Sequence, residues 1–327
     1  MRDVGRWLGR FLLALVVLGA AFWFLAPREQ VVRSATGSAV FEADPGLLAA
    51  REAGFDDIVP GTEARVVWAG DEGAVTRWAV LYLHGFSATS EELRPVPDRV
   101  AEALGANLVF ARLPGHGRTG TAMAEARASD WVDDTDLMLD VARAVGDRVL
   151  VIGTSTGATL AAYAATERDM AVDVAGMVLI SPNFRVADPA GMVLGWPLAG
   201  VWVPWITGPE RGFEPVNEAQ AAYWTTAYPS PVLASLGALL RELRGRDLSA
   251  VTVPALFLFS DADAVVDPRA THAAAERWGG PVTLRPVTLP DEGVDPYAHV
   301  IAGDILSPVM TDRVVEEILD FAGGVPD

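Results

Sequence analysis

Residues 148–157 read Arg148-Val149-Leu150-Val151-Ile152-Gly153-Thr154-Ser155-Thr156-Gly157. The apolar run before Gly153 predicts a buried strand, and the small residues of 158–166 predict a helix. Between them the chain must turn sharply, with Ser155 at the apex. Gly153 and Gly157 stand where a β-carbon would obstruct the turn or hold the helix away from the sheet. A serine in this position points its hydroxyl out of the sheet, toward substrate. In a chain with 31 glycines the Gly-x-Ser-x-Gly pattern is weak evidence alone, and its strand and helix flanks give it weight.

Outward from this turn, apolar runs predict strands at 65–68, 77–83, 107–112, 174–181, 254–260 and 282–289. Helices are predicted near 47–53, over 91–104 with a start disturbed by Pro95 and Pro97, from a Ser129 cap to Val145, and over 308–321 with Ser307 as cap. Strands alternating with helices imply an α/β fold, with a mostly parallel central sheet covered on both faces. The core is expected over 65–182 and 251–327, after a connector at 28–64. Residues 183–250 carry no clear strand, but they hold Trp196, Trp202, Trp205, Phe213, Tyr223 and Trp224 among many prolines. They are expected to form a helical cap insertion. Most of its aromatics would make its own small core, and its underside an apolar pocket.

The first 27 residues carry a membrane signal. Residues 11–26 (FLLALVVLGAAFWFLA) are uncharged and follow Arg2, Arg6 and Arg10. As a helix this run spans about 24 Å, and residues 7–9 extend it if Arg10 snorkels. A signal peptide cleaved near Gly19-Ala20-Ala21 is the competing reading, but the mature chain would then begin with exposed aromatics. An uncleaved anchor over 7–26 is preferred, with the bulk of the chain exported.

Net charge is −18 over 327 residues, which disfavours nucleic acid as a partner. All 25 cations are arginine and cysteine is absent, so disulfides, thiol chemistry and cysteine-held metals are excluded. The four histidines show no metal-binding spacing, and neither metal nor cofactor is expected.

Ligands of parallel sheets bind beyond the carboxyl ends of the strands. Four pieces fall there: His84-Gly85-Phe86, Ser155, the acidic loop 260–267, and His299. Asp263 is the first choice for a carboxylate partner, Asp267 the alternative and Asp261 the third. His84 and His116 sit in glycine turns where they order loops, and His272 lies on a predicted helix. His299 follows the last strand and can reach back over the sheet as a base.

The order Ser155, Asp263, His299, with His84-Gly85-Phe86 and Pro114-Gly115-His116-Gly117, resembles the α/β-hydrolases. Nearest are the monoacylglycerol-lipase-like, carboxylesterase and proline-aminopeptidase-like members. The motifs extend over nearly all of 65–322. Thr154 departs from the His or Gln frequent before the nucleophile. The resemblance implies an ester hydrolase working by a Ser–His–Asp triad without cofactor, with the amides of Thr156 and Phe86 as oxyanion donors. The aromatic insertion and the membrane segment favour an apolar acyl ester. A peptidase or amidase and an acyltransferase are the rival enzymes, and a membrane-tethered binding module the non-enzymatic rival. Oligomeric state is left open.

Overall fold

The computed structural model describes residues 2–34 and 45–326. Among them the strands are β1 (Arg65–Val67), β2 (Thr76–Leu83), β3 (Asn107–Phe110), β4 (Gly146–Thr154), β5 (Val174–Ile180), β6 (Glu210–Gly212), β7 (Ala227–Pro229), β8 (Ala255–Phe259) and β9 (Val282–Pro286). The α-helices are α1 (Arg2–Leu25), α2 (Pro45–Glu52), α3 (Val96–Leu104), α4 (Ala128–Val145), α5 (Thr156–Thr166), α6 (Ala199–Thr207), α7 (Glu218–Tyr223), α8 (Val232–Arg244), α9 (Pro268–Arg277) and α10 (Thr311–Gly324).

Seven strands form one sheet in the order β1-β3-β2-β4-β5-β8-β9. Only β1 runs antiparallel to its neighbour. The central strands lack an apolar–polar alternation because both of their faces are buried. Val149 and Val151 of β4 join one core with Trp131, Leu139 and Leu160 of α4 and α5. Leu150 and Ile152 join the other, with Val100 of α3 and Ile318 of α10. Each such leucine or isoleucine contributes about 1.5–3 kcal/mol through burial.

The chain leaves β2 toward β3 and leaves β4 toward β5, on opposite sides. The topological switch point therefore lies between β2 and β4, which pair in register from Thr76↔Gly146 to Leu83↔Gly153. A crevice at the carboxyl ends opens there. Two glycines make it possible. A β-carbon on Gly157 would meet Leu83 O at 2.0 Å, and one on Gly153 would meet Ala158 N at 2.7 Å.

Four expectations are corrected. Helix α4 begins at Ala128, ahead of Ser129; Asp130 takes up the Arg127 amide, and Ser129 Oγ accepts instead from Val32 N at 3.0 Å. Ser307 caps nothing with its side chain, and a 3-10 turn, Pro308–Met310, precedes α10. The last strand stops at Pro286, not at residue 289. The stretch between β5 and β8 is not free of strand, since β6 and β7 pair there. Its aromatics also divide. Trp224 is buried and Trp202 packs on Ala199, Val203 and Ala234, but Trp196 and Trp205 face outward.

Helix α1 includes Val4–Leu25, 22 residues long and apolar enough to cross a membrane, with none of it buried. At 1.5 Å per residue it spans about 33 Å, enough for a hydrocarbon core. The chain after it is pinned to the body. Pro27 O accepts from Leu198 N at 2.8 Å, and Arg33 pairs with Asp136 and Asp169.

Candidate active site

Ser155 joins β4 to α5 with φ +53° and ψ −113°. A non-glycine residue here costs about 1–3 kcal/mol and persists only where its surroundings enforce it. Its amide donates to Ile180 O at 2.9 Å, and its carbonyl accepts from Thr159 N and Asn183 N, each at 3.1 Å. The ends of β4 and β5 thus hold the serine in place.

The three carboxylates of the acidic loop have three different partners. Asp263 Oδ2 lies 2.7 Å from His299 Nδ1, both side chains being buried. Its Oδ1 accepts the amides of Val265 and Val266 at 2.8 and 2.9 Å. Asp267 caps α9 through the Arg269 amide and pairs with Arg269 and Arg185. The Arg269 bond, ahead of Arg185, holds its carboxyl down at about 2. Asp261 meets His272 Nε2 at 2.8 Å at the surface.

Nδ1 of His299 therefore donates to Asp263, which leaves Nε2 with a free lone pair. Burial works against a charged imidazole here. The bond and charge of Asp263, backed by Glu92 and Asp295, outweigh it and hold the pKa of His299 above its ordinary value. Among the described residues no hydrogen bond joins Ser155 Oγ to this ring. Such contacts often tighten only once substrate is bound.

The other histidines are committed elsewhere. His84 Nε2 accepts from Leu113 N at 3.1 Å, so its Nδ1 donates to Gly85 O at 2.9 Å. Burial, then the neighbouring His116, lowers its pKa to about 3. His84 is a neutral brace for the loop it starts. His116, lowered to about 4 by burial, donates from Nδ1 to Pro114 O.

Phe86 follows β2, and Thr156 follows the serine on the adjacent strand end. Neither backbone amide has an acceptor among the described residues. Unspent amides are rare where the backbone is buried, as it is at Thr156. Among the described residues, no cluster of three or more His, Asp or Glu side chains is grouped to hold a metal.

Sequence reasoning missed two supports. Asp295 Oδ2 accepts the amides of His299 and Val300 at 3.0 and 2.9 Å, while Ser307 Oγ accepts the Asp295 amide and donates to Val300 O. The signal was present: an aspartate shortly before a loop histidine forms an Asx-type turn. The second is Glu92, fully buried, whose Oε2 accepts the Gly85 amide at 2.7 Å and the Tyr82 hydroxyl at 3.1 Å. It fixes the loop that carries Phe86.

Burial raises the carboxyl of Glu92 from 4.5 to about 7. Below about pH 4.5 it is protonated in both folded and unfolded chains and contributes no pH dependence. Between there and about pH 7 the unfolded chain releases this proton while the folded one keeps it. Stability falls as pH rises, by about 3 kcal/mol in total. Glu92→Gln lacks this titration. Relative to wild type, its melting temperature should be higher at about pH 8 than at about pH 5. A constant offset between the two pH values would show that Glu92 does not titrate in this window.

Comparison with known proteins identifies the family and the fold. The family model described as "Serine aminopeptidase, S33" matches residues 74–285. A protein named thermostable monoacylglycerol lipase, from Bacillus sp. (strain H-257), is 29% identical over 190 residues, 58% of this chain and 72% of that one. A structure from work on LipS and LipT, two metagenome-derived lipolytic enzymes, superposes with TM-score 0.64 at 24% identity, covering 81% of this chain and 98% of that one. A soluble variant of monoglyceride lipase from Saccharomyces cerevisiae gives TM-score 0.58 at 11% identity, covering 81% and 92%. With a Gly-x-Ser-x-Gly turn at the switch point of a mostly parallel sheet, the chain is a serine hydrolase of the α/β-hydrolase fold, and it belongs to the serine aminopeptidase S33 family.

Proposed function

We propose that this protein hydrolyses carboxylic esters of apolar acyl chains, monoglyceride-like lipids above all, through Ser155, His299 and Asp263. Residues 65–182 and 251–327 form its catalytic core, and 183–250 its cap. Helix α1 anchors it in a membrane, with the catalytic part on the exported side. One observation carries the mechanism. The buried imidazole of His299 spends Nδ1 on Asp263 and keeps Nε2 free as a base, in a loop at the same rim as the strained Ser155.

In this mechanism His299 takes the Ser155 proton as Oγ attacks the ester carbonyl. Asp263 holds the imidazole tautomer and stabilises its cation. The oxyanion is received by the amides of Phe86 and Thr156, each such donor being worth about 3–4 kcal/mol of barrier. His299 then protonates the leaving alcohol, and water releases the acyl group by the reverse use of the same base. Glu92 positions the first of these amides through its hold on Gly85.

Two further observations favour an apolar ester. Trp224 packs with Ala88, Val300 and Leu306, so the β5–β8 stretch, the Phe86 loop and the residue beside His299 share one apolar cluster. The Bacillus relative carries a monoacylglycerol lipase name. The family description names an aminopeptidase, which needs anionic groups to receive a free amine. The acids of this stretch best suited to that, Glu210, Glu214 and Glu218, are all exposed to solvent.

The test is a series of p-nitrophenyl esters from acetate to laurate beside a prolyl amide. kcat/KM should rise along the series by up to about fourfold per methylene, since a buried methylene is worth about 0.8 kcal/mol. Greater activity on the prolyl amide than on every ester would reverse the assignment.

A further inference from the structure

Helix α6 has the sequence AGVWVPWIT, without a charged residue. Its inner side, Ala199 and Val203, packs on Ala234 of α8. Away from that packing Val201 is 54% and Trp205 83% exposed, one turn apart on the same face, and Ile206 in the last turn is 75% exposed. Single exposed apolar side chains are ordinary, but three on one charge-free nine-residue helix mark a contact surface.

The position of this surface identifies what covers it. Trp196, two residues before Leu198, sets its ring edge-on to Trp23 of α1, with centroids 5.4 Å apart. Leu198 N, at the start of α6, donates to Pro27 O, two residues past the end of α1. Glu29 binds α8 at both ends of its own structure: its side chain accepts from Ser235 Oγ at 2.9 Å, and its carbonyl accepts from Arg241. The point where α1 ends is thus fixed against α6. If α1 crosses a bilayer, Trp23, Trp196 and the bare side of α6 lie near one boundary of it. Tryptophan favours that layer, and a short apolar-faced helix lies flat in it. A cavity of about 400 Å³ beside Pro27 and Leu198 is lined by Arg28, Arg127 and Arg241 together with Glu29 and Asp130, with Arg127 3.5 Å from Glu29.

We propose that α6 is a second membrane contact, lying in the interfacial layer of the same bilayer that α1 crosses. The proposal rests on the anchor reading of α1. It deepens the reading of the substrate, since a cap resting on the bilayer lets a monoacyl ester enter from the lipid surface without crossing water.

The chain has no cysteine, so single-cysteine variants can be labelled cleanly with an environment-sensitive fluorophore. Full-length Leu18→Cys, Ile206→Cys and Asp147→Cys proteins are reconstituted in phosphatidylcholine vesicles, with and without phosphatidylglycerol. The bilayers carry nitroxide-labelled lipids as quenchers. Asp147 is an exposed control at the amino end of β4, opposite the carboxyl ends of the sheet. The label at 18 should be quenched by deep nitroxides and the label at 206 by shallow ones, with a blue-shifted emission. The label at 147 should be unaffected. A label at 206 that behaves like the one at 147, while 18 is quenched, overturns the proposal and leaves the anchor and the hydrolase standing. An unquenched label at 18 removes the anchor and the proposal with it. Shielding of 206 in detergent alone that grows with protein concentration would assign the surface to a second copy, which also overturns it.

Turnover supplies a separate readout. The double variant Trp205→Ser, Ile206→Ser should lose about tenfold or more in rate on vesicle-borne monoglyceride and keep its kcat/KM on a short soluble ester. Equal loss on both substrates counts against the proposal.

Discussion

Ser155→Ala should lose about 10⁵–10⁶-fold in kcat on any ester the wild type turns over, as removal of a nucleophile from an intact triad does. It should also no longer be labelled by a fluorophosphonate. The fold should survive, because Ser155 is held by backbone bonds that alanine can also make. Relief of the φ +53° strain is not available to alanine either, so stability should change little. Mass-spectrometric mapping of the wild-type adduct checks the assignment directly. An adduct on any other serine, or labelling retained in the alanine variant, would move the nucleophile elsewhere.

Asp263→Asn should cost about 10⁴-fold in kcat, because an amide at this place can donate to Nδ1 and stabilise the wrong imidazole tautomer. A second consequence separates this from simple damage. With His299 as the proposed base, activity requires its neutral form and should rise with pH through the pKa of that ring. In the wild type Asp263 holds this value up against the opposing effect of burial. Without the negative charge the acid limb of the pH profile should shift to lower pH in whatever activity remains. Asp267→Asn is the matched control. It should keep kcat within a few-fold and, since asparagine caps α9 as well as aspartate does, lose no more than about 1 kcal/mol of stability through the lost pairing with Arg185 and Arg269. If Asp267→Asn lost the larger share of kcat, the acid would have to be reassigned. Both variants need only a pH-rate profile and a thermal melt.

Much of the architecture was legible because its causes are local. Residues 78–83 of β2, 149–153 of β4 and all of β5 and β8 carry no charged residue and are almost wholly apolar, and only a sheet buried on both faces demands that. The turn at Ser155 was legible because two glycines and a serine have few other reasons to stand between such a strand and a helix. Where sequence reasoning failed, a distant partner had taken over a local role. Ser129 has the chemistry of a cap, but Val32, 97 residues away, uses its hydroxyl. Ser307 was diverted in the same way to the loop of His299. Glu92 stands beside Glu91 and looks like one more solvated acid until the fold buries it under Tyr82 and Gly85. The three aspartates of 260–267 have identical chemistry, and only the placement of Arg185, His272 and His299 distinguishes them. The exposure of Trp196 and Trp205 was hidden for a related reason. Composition marks an aromatic residue as apolar, but not which side of its element it occupies.

The close approach at Gly157 sets how far the crevice can vary. Leu83 O stands 2.0 Å from where a β-carbon at 157 would be, so the end of β2 and the start of α5 are set at a spacing no side chain can adjust. The amides of Phe86 and Thr156, proposed to receive the oxyanion, inherit their separation from this main-chain contact and from the hold of Glu92 on Gly85. Residues 183–250 lie outside this constraint. Substitutions there can alter the surroundings of the crevice without changing the separation of β2 and α5.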